Sequence, residues 1–135
     1  SSGGPNEVWS FGEEAYEIIC ELLHLREHLK PYLMEQMRLA HEQGIPPMRP
    51  LLFDFPDDQG SVDVEDAFML GPDLLVAPVL YQGDRTRRVY LPSGARWTDA
   101  WTGQQHDGGQ SITVPAPLER IPVFWRGAAR FSLKP

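Results

Sequence analysis

Apolar positions along the chain fall into two regimes. The first holds Ala15, Ile18, Ile19, Leu22, Leu23, Leu25 and Leu29, close to the three-and-four spacing that lines one face of a helix. Ser10-Phe11-Gly12-Glu13 stands just before them and fits a capping box, in which a hydroxyl accepts from a free amide and a carboxylate reaches back. Pro31 interrupts the stretch. It removes a backbone donor and biases Lys30 away from helical angles, so a break or sharp kink is expected there. A second helical stretch is expected from Tyr32 to Glu42, with Leu33, Met34, Met37, Leu39 and Ala40 as its apolar set and Gly44 as a left-handed cap.

From Met48 onward the pattern changes to short apolar runs between turn residues. It predicts strands over 48–53, 73–80, 86–91, 95–101, 111–114 and 121–126, with a last one near 129–133. Separators include Phe55-Pro56-Asp57-Asp58, Gly71-Pro72-Asp73, Gln82-Gly83-Asp84, Pro92-Ser93-Gly94 and Asp107-Gly108-Gly109. Residues 87–91 and 111–114 alternate as strands with one wet face do, whereas Leu74-Leu75-Val76-Ala77 does not alternate and reads as a central strand. A short helical turn is expected over Asp63–Asp66. The fold class is therefore α+β: an N-terminal helical segment, kinked near Pro31, followed by an antiparallel β-sandwich. The 13 prolines and 12 glycines sharpen this division, because they are nearly absent over 13–43 and recur every few residues afterwards.

Composition narrows the function classes. A chain of 135 residues with 41% hydrophobic residues is one domain's worth of foldable material. A formal charge of −7 argues against nucleic acid or an anionic membrane as partner, since both demand a basic face. The single cysteine, Cys20, forms no internal disulfide and fits a reducing, cytoplasmic compartment. Among Ile18, Ile19, Leu22 and Leu23 it reads as a small core residue rather than a nucleophile. No apolar run reaches membrane-spanning length, and the start lacks a basic-then-apolar signal pattern.

Three clusters carry candidate chemistry. His24-Leu25-Arg26-Glu27-His28 matches the inverted zinc-protease signature, in which two histidines one turn apart hold the metal and the glutamate is the base. Its plainer reading is a polar helix face, because a third ligand is wanting. Asp54, Asp57, Asp58, Asp63, Glu65 and Asp66 offer the paired carboxylates that glycoside hydrolysis needs. Beside proline and glycine, however, aspartates are turn formers first. Trp97, Trp101 and Trp125, with Tyr90, Phe53, Phe55, Phe68 and Phe124, would stack on sugar C–H faces if exposed, as in a carbohydrate-binding module. Core packing is the alternative. Arg85, Arg87 and Arg88 form the one basic run, which on an edge strand blunts pairing with other chains. His41 and His106 have no recognisable partner in the sequence. There is no phosphate-cradling loop, cysteine metal site or serine elbow.

Five segments taken together resemble a single family. They are Pro-Pro-Met-Arg-Pro-Leu-Leu-Phe-Asp-Phe-Pro-Asp-Asp (46–58), Phe-Met-Leu-Gly-Pro-Asp-Leu-Leu-Val-Ala-Pro-Val (68–79) and Arg-Arg-Val-Tyr-Leu-Pro (87–92). Trp-Thr-Asp-Ala-Trp-Thr-Gly (97–103) and Ala-Pro-Leu-Glu-Arg-Ile-Pro-Val-Phe-Trp-Arg (116–126) continue the series. In this order they resemble the end of the catalytic chain of family 31 glycoside hydrolases, the α-glucosidases and α-xylosidases. Asn-Glu-Val-Trp-Ser-Phe-Gly (6–12) and Leu-Lys-Pro-Tyr-Leu (29–33) are similar to segments around that family's last barrel helix. The resemblance implies that 1–44 is the last helix region of a (β/α)8 barrel and 45–135 the proximal C-terminal sandwich. It further implies a full-length retaining enzyme whose catalytic aspartates and substrate-binding arginine-x-histidine-glycine segment precede this stretch. No residue here is therefore assigned a catalytic, cofactor or metal role. The expected partners are the rest of the barrel and, through it, a carbohydrate. Where that barrel is missing, the helix stripe Ile18, Ile19, Leu22 and Leu25 is expected either to fold onto the chain's own sandwich or to pair with a second copy.

Overall fold

The computed structural model describes residues 26–79, 83, 85–117 and 121–130, with side chains from residue 31 onward. Helix α1 spans Arg26–Gln43 and contains Pro31, so the chain does not divide there into two helices. A proline inside a helix forfeits one backbone hydrogen bond and crowds the preceding turn. Here the turn just after it is anchored by tertiary packing: Tyr32, Leu33 and Gln36 are buried. The helix ends as expected, with the Gly44 N–H donating to the Ala40 carbonyl at 3.1 Å and Gly44 at φ +71°.

The strands are β1 (Met48–Pro50), β2 (Phe68–Leu70), β3 (Leu74–Val76), β4 (Thr86–Leu91), β5 (Arg96–Asp99), β6 (Gln105–Asp107), β7 (Gln110–Pro115) and β8 (Val123–Arg126). Six of them form one sheet in the order β1-β2-β3-β8-β5-β6, while β4 and β7 form a separate ribbon. Every pairing is antiparallel. The six-stranded sheet is covered on both faces. Phe68, Leu70, Leu74, Val76, Val123 and Trp125 pack with Tyr32 and Leu33 of α1. The alternate residues Met69, Leu75, Phe124 and Trp97 pack with Val89, Leu91 and Val114 of the ribbon. Helix, sheet and ribbon thus form three layers. Double coverage explains why 74–76 is apolar at every position, as expected for a central strand.

Several boundaries differ from the sequence expectation. The chain leaves the sheet after Pro50 and makes a helical turn, α2 (Leu51–Asp54), where a strand was expected to continue to 53. The Arg49 guanidinium explains this, because it takes both oxygens of Asp54, at 2.7 and 2.8 Å. An extended chain would carry residue 54 roughly 17 Å away from 49. The short helical turn falls at Gln59–Ser61 instead of 63–66. Strands β2 and β6 were not anticipated. The strand expected near 129–133 is absent at 129–130, and its remainder lies outside the described residues, as does the Ser10 capping box.

Two polar pins join the layers. The Tyr32 hydroxyl donates to the Leu70 carbonyl at 2.7 Å and accepts the Asp73 N–H at 3.0 Å, tying α1 to the β2–β3 turn. Burial pushes this phenol well above its ordinary pKa, against the lowering effect of the Asp73 N–H, so it remains a donor. Gly71 in that turn sits at φ +67°, and a Cβ there would lie 2.2 Å from the Tyr32 oxygen. Glycine serves both demands, tolerating the backbone angle and leaving room for the phenol.

The second pin is Asp58. Its carboxylate accepts from the Ser61 hydroxyl at 2.7 Å, the Tyr90 hydroxyl at 2.7 Å, the Ser93 hydroxyl at 2.9 Å and the Ser93 N–H at 3.3 Å. It thereby holds the loop after α2 against β4 and the β4–β5 turn. Burial alone would raise the Asp58 pKa, but the Ser61, Tyr90 and Ser93 donors outweigh it and hold the carboxyl below its usual range. Burial, reinforced by the Asp58 hydrogen bond and charge, pushes Tyr90 up to about 12.

Each pin yields a test. Tyr32→Phe should lose about 1–3 kcal/mol in urea unfolding, the cost of stranding buried partners. Gly71→Ala should lose more than about 1 kcal/mol. The double variant should lose less than the sum, because removing the hydroxyl removes the nearest clash. Asp58→Asn should cost about 1–3 kcal/mol at neutral pH. Since the folded pKa lies below the unfolded one, the stabilisation is complete above the carboxylate range and is lost as pH falls through the folded value. The two proteins' unfolding curves should therefore converge below about pH 4.

Candidate functional site

The three clusters of candidate chemistry meet different fates. His24 lies outside the described residues, as does Cys20; Glu27 and His28 lie on the backbone of α1. Among the described residues no group of three or more His, Cys, Asp or Glu side chains is placed to hold a metal. His41 is exposed, and His106 sits edge-on to Phe124 with ring centroids 6.1 Å apart.

The acidic cluster is not brought together as a catalytic pair. Asp54 is engaged by Arg49 on both oxygens, and Asp58 receives Ser61, Tyr90 and Ser93. Asp66 faces Arg87 at 3.4 Å, while Asp57, Asp63 and Glu65 are exposed. A general acid needs a carboxyl held neutral near pH 7. Asp58 is driven the opposite way. These carboxylates close turns and clamp loops.

Apart from exposed Phe53, these aromatic residues pack into the core. Trp97 and Trp125 are both fully buried, so neither offers a face to a sugar. Trp97 donates its indole N–H to the Pro92 carbonyl at 3.0 Å and packs on Phe55, ring centroids 5.6 Å apart. Trp125 meets Tyr32 edge-on at 5.7 Å. Trp101 is half-buried and donates to the Ile121 carbonyl at 2.7 Å. Such offset and edge contacts add to the burial of large rings.

What remains is surface with an unusual make-up. On α1, Met34 and Met37 point away from the sheet, beside Arg38, which forks between Glu35 and Glu42. On α2, Leu52 and Phe53 are exposed, although the preceding Arg49 is buried and bonded to Asp54 and to the Pro46 carbonyl at 2.9 Å. The Arg49 guanidinium also lies over the Phe53 ring at 5.0 Å. Phe53 is an aromatic for which the sequence offers a core or glycan-binding role, whereas nothing in its composition marks Arg49. The signal was available in the Arg49–Asp54 spacing, which only a turn can close. No helix of the described residues is long and apolar enough to cross a membrane.

Among the described residues no cluster is placed to hold a metal, and the acidic side chains are engaged in turns and clamps or exposed. Comparison with known proteins gives the context. Residues 44–129 match the Glycosyl hydrolase family 31 C-terminal domain. The chain is 38% identical to Alpha-glucosidase 2 of Bacillus thermoamyloliquefaciens over 94% of its own length and 16% of the relative's. It is likewise 38% identical to Alpha-xylosidase of Saccharolobus solfataricus, over 96% of this chain and 18% of the relative. A solved GH31 alpha-xylosidase from a soil metagenome, complexed with xylose, shares 53% identity and a TM-score of 0.76 over 95% of this chain and 19% of that one. The chain thus spans less than a fifth of the relatives it resembles. The chain belongs to glycosyl hydrolase family 31, and its residues 44–129 match that family's C-terminal domain.

Proposed function

We propose that this chain is the non-catalytic C-terminal portion of a retaining α-glycosidase that hydrolyses the O-glycosyl bonds of α-glucosides or α-xylosides. The observation that carries the reading is the coverage: nearly all of this chain aligns with under a fifth of an α-glucosidase and an α-xylosidase. In such an enzyme one carboxylate attacks the anomeric carbon while another serves as acid and then base, the two about 5–5.5 Å apart. Both would reside in the catalytic body. The role of the present residues is to cover and stiffen that body, with residues 1–44 as the last helix region of a (β/α)8 barrel and 45–135 as the sandwich beside it. The barrel and, through it, the carbohydrate substrate are the partners. The lone thiol of Cys20 supports a cytoplasmic setting.

Turnover separates the parts. The chain alone should release no product from aryl α-glucosides or aryl α-xylosides, whereas the full-length enzyme should hydrolyse one of them with retention of anomeric configuration. Turnover by the chain alone would overturn the reading. Deprived of the catalytic body, the stripe Ile18, Ile19, Leu22 and Leu25 either folds onto the chain's own sandwich or pairs with a second copy. Light scattering tests the second branch: a mass that rises with concentration supports it, and a monomer throughout rules it out.

A further inference from the structure

Among the described residues the two sheets end at strands β1, β6, β4 and β7. An unpaired edge is a template for another chain, and proteins blunt it by brevity, proline or charge. Strand β1 has three residues and ends in Pro50, and β6 has three and ends in Asp107. On β4 the Arg87 guanidinium donates to the Arg88 carbonyl, and Arg88 itself is exposed. Strand β7 is different. It runs for six residues, Gln110–Pro115, and residues 108–117 hold no Asp, Glu, Lys or Arg.

The pairing with β4 decides which backbone groups β7 leaves free. The Ala116 N–H donates to the Arg85 carbonyl at 2.7 Å. Hydrogen-bonded pairs alternate from there, through Arg87 with Val114, Val89 with Ile112 and Leu91 with Gln110. The N–H and C=O groups of Ser111 and Thr113 therefore point away from β4, and among the described residues no hydrogen bond reaches them. By the same alternation the Arg88 carbonyl that Arg87 covers lies on the outer edge of β4. Ile112 is only half-buried, at the rim of the ribbon-side core.

We infer that β7 is a self-association edge, where a second copy of this chain adds its own β7 antiparallel about a two-fold axis through Ile112. In that register Ser111 of each copy exchanges backbone N–H and C=O bonds with Thr113 of the other. The two Ile112 side chains face each other across the axis and complete each other's cover. Pro115, which has no N–H, stays outside the ladder. The occupant follows from the strand itself. Antiparallel pairing of identical strands is self-complementary, and an uncharged run meets its copy without the repulsion that a net charge of −7 imposes elsewhere. The contact is small, so association is reversible and depends on concentration. The ribbon and α1 cover opposite faces of the six-stranded sheet, so this edge is separate from the helix stripe, and the inference does not rest on the proposed function.

Analytical ultracentrifugation of the full-length protein should show a mass that rises toward that of a dimer with concentration. Thr113→Pro removes an outward N–H without breaking a bond to β4. It should weaken dimerisation at least about tenfold, with the circular dichroism spectrum unchanged. Should proline disturb the ribbon, the double variant Ser111→Glu/Thr113→Glu sets carboxylates opposite one another across the new pairing and should separate the copies equally. Facing residues of a non-hydrogen-bonded pair lie about 4.5 Å apart at Cα, within disulfide range. Ile112→Cys should therefore form an interchain disulfide in oxidised glutathione, which mass spectrometry reads as position 112 joined to position 112. A wild-type protein monomeric throughout, a dimer that the folded edge variants leave intact, or the lack of a 112–112 bridge overturns the inference.

Discussion

The phenol of Tyr32 joins the helix to everything that follows. Its oxygen donates to Leu70 and accepts from Asp73, and its ring meets Trp125 edge-on. The Arg130 guanidinium lies over both rings, 5.1 and 5.9 Å from their centroids, and reaches the Asp73 carboxylate at 2.6 Å. One side chain thereby touches α1, the β2–β3 turn, β8 and the segment after it. The two hydrogen bonds of the buried phenol strengthen one another, and each loss strands a partner. Among the described residues no buried side-chain nitrogen or oxygen is left without a hydrogen-bond partner.

The architecture was legible where apolar pattern and punctuation agree. Strand β4 falls at 86–91 as the alternation implies, and β3 and β8 fall inside their expected stretches. Strand β2 escaped because Phe68-Met69-Leu70 is brief and apolar throughout, which a doubly covered strand shares with a buried helix segment. Strand β6, Gln105-His106-Asp107, is polar and is a strand because Trp97 and Thr98 pair with it; no local preference announces it. At Pro31 the break that the local rule allows does not occur: the helix runs through it, and Tyr32 and Leu33 just after it are buried.

The candidate chemistry was less legible than the fold. Carboxylates in a sequence look alike whether they cleave a bond or close a turn, and only their partners tell them apart. Asp54 and Asp58 are distinguished by an arginine five residues back and by a tyrosine and serine more than thirty residues on. The family resemblance was visible because it draws on several separated segments in order, not on any short pattern. The zinc-like histidine pair had no such support elsewhere in the chain.

Because the inner strands β2, β3 and β8 bury apolar side chains on both faces, water does not police their alignment. A slip of one residue in β3 or β8 would exchange the two faces, yet still bury every side chain. Correct threading must then be enforced by size: the helix side has room for Trp125, and the ribbon side holds Phe124 and Trp97. A slipped pairing would thus stay sequestered from solvent while moving the Trp125 indole into the space that Phe124 and Trp97 fill on the ribbon side.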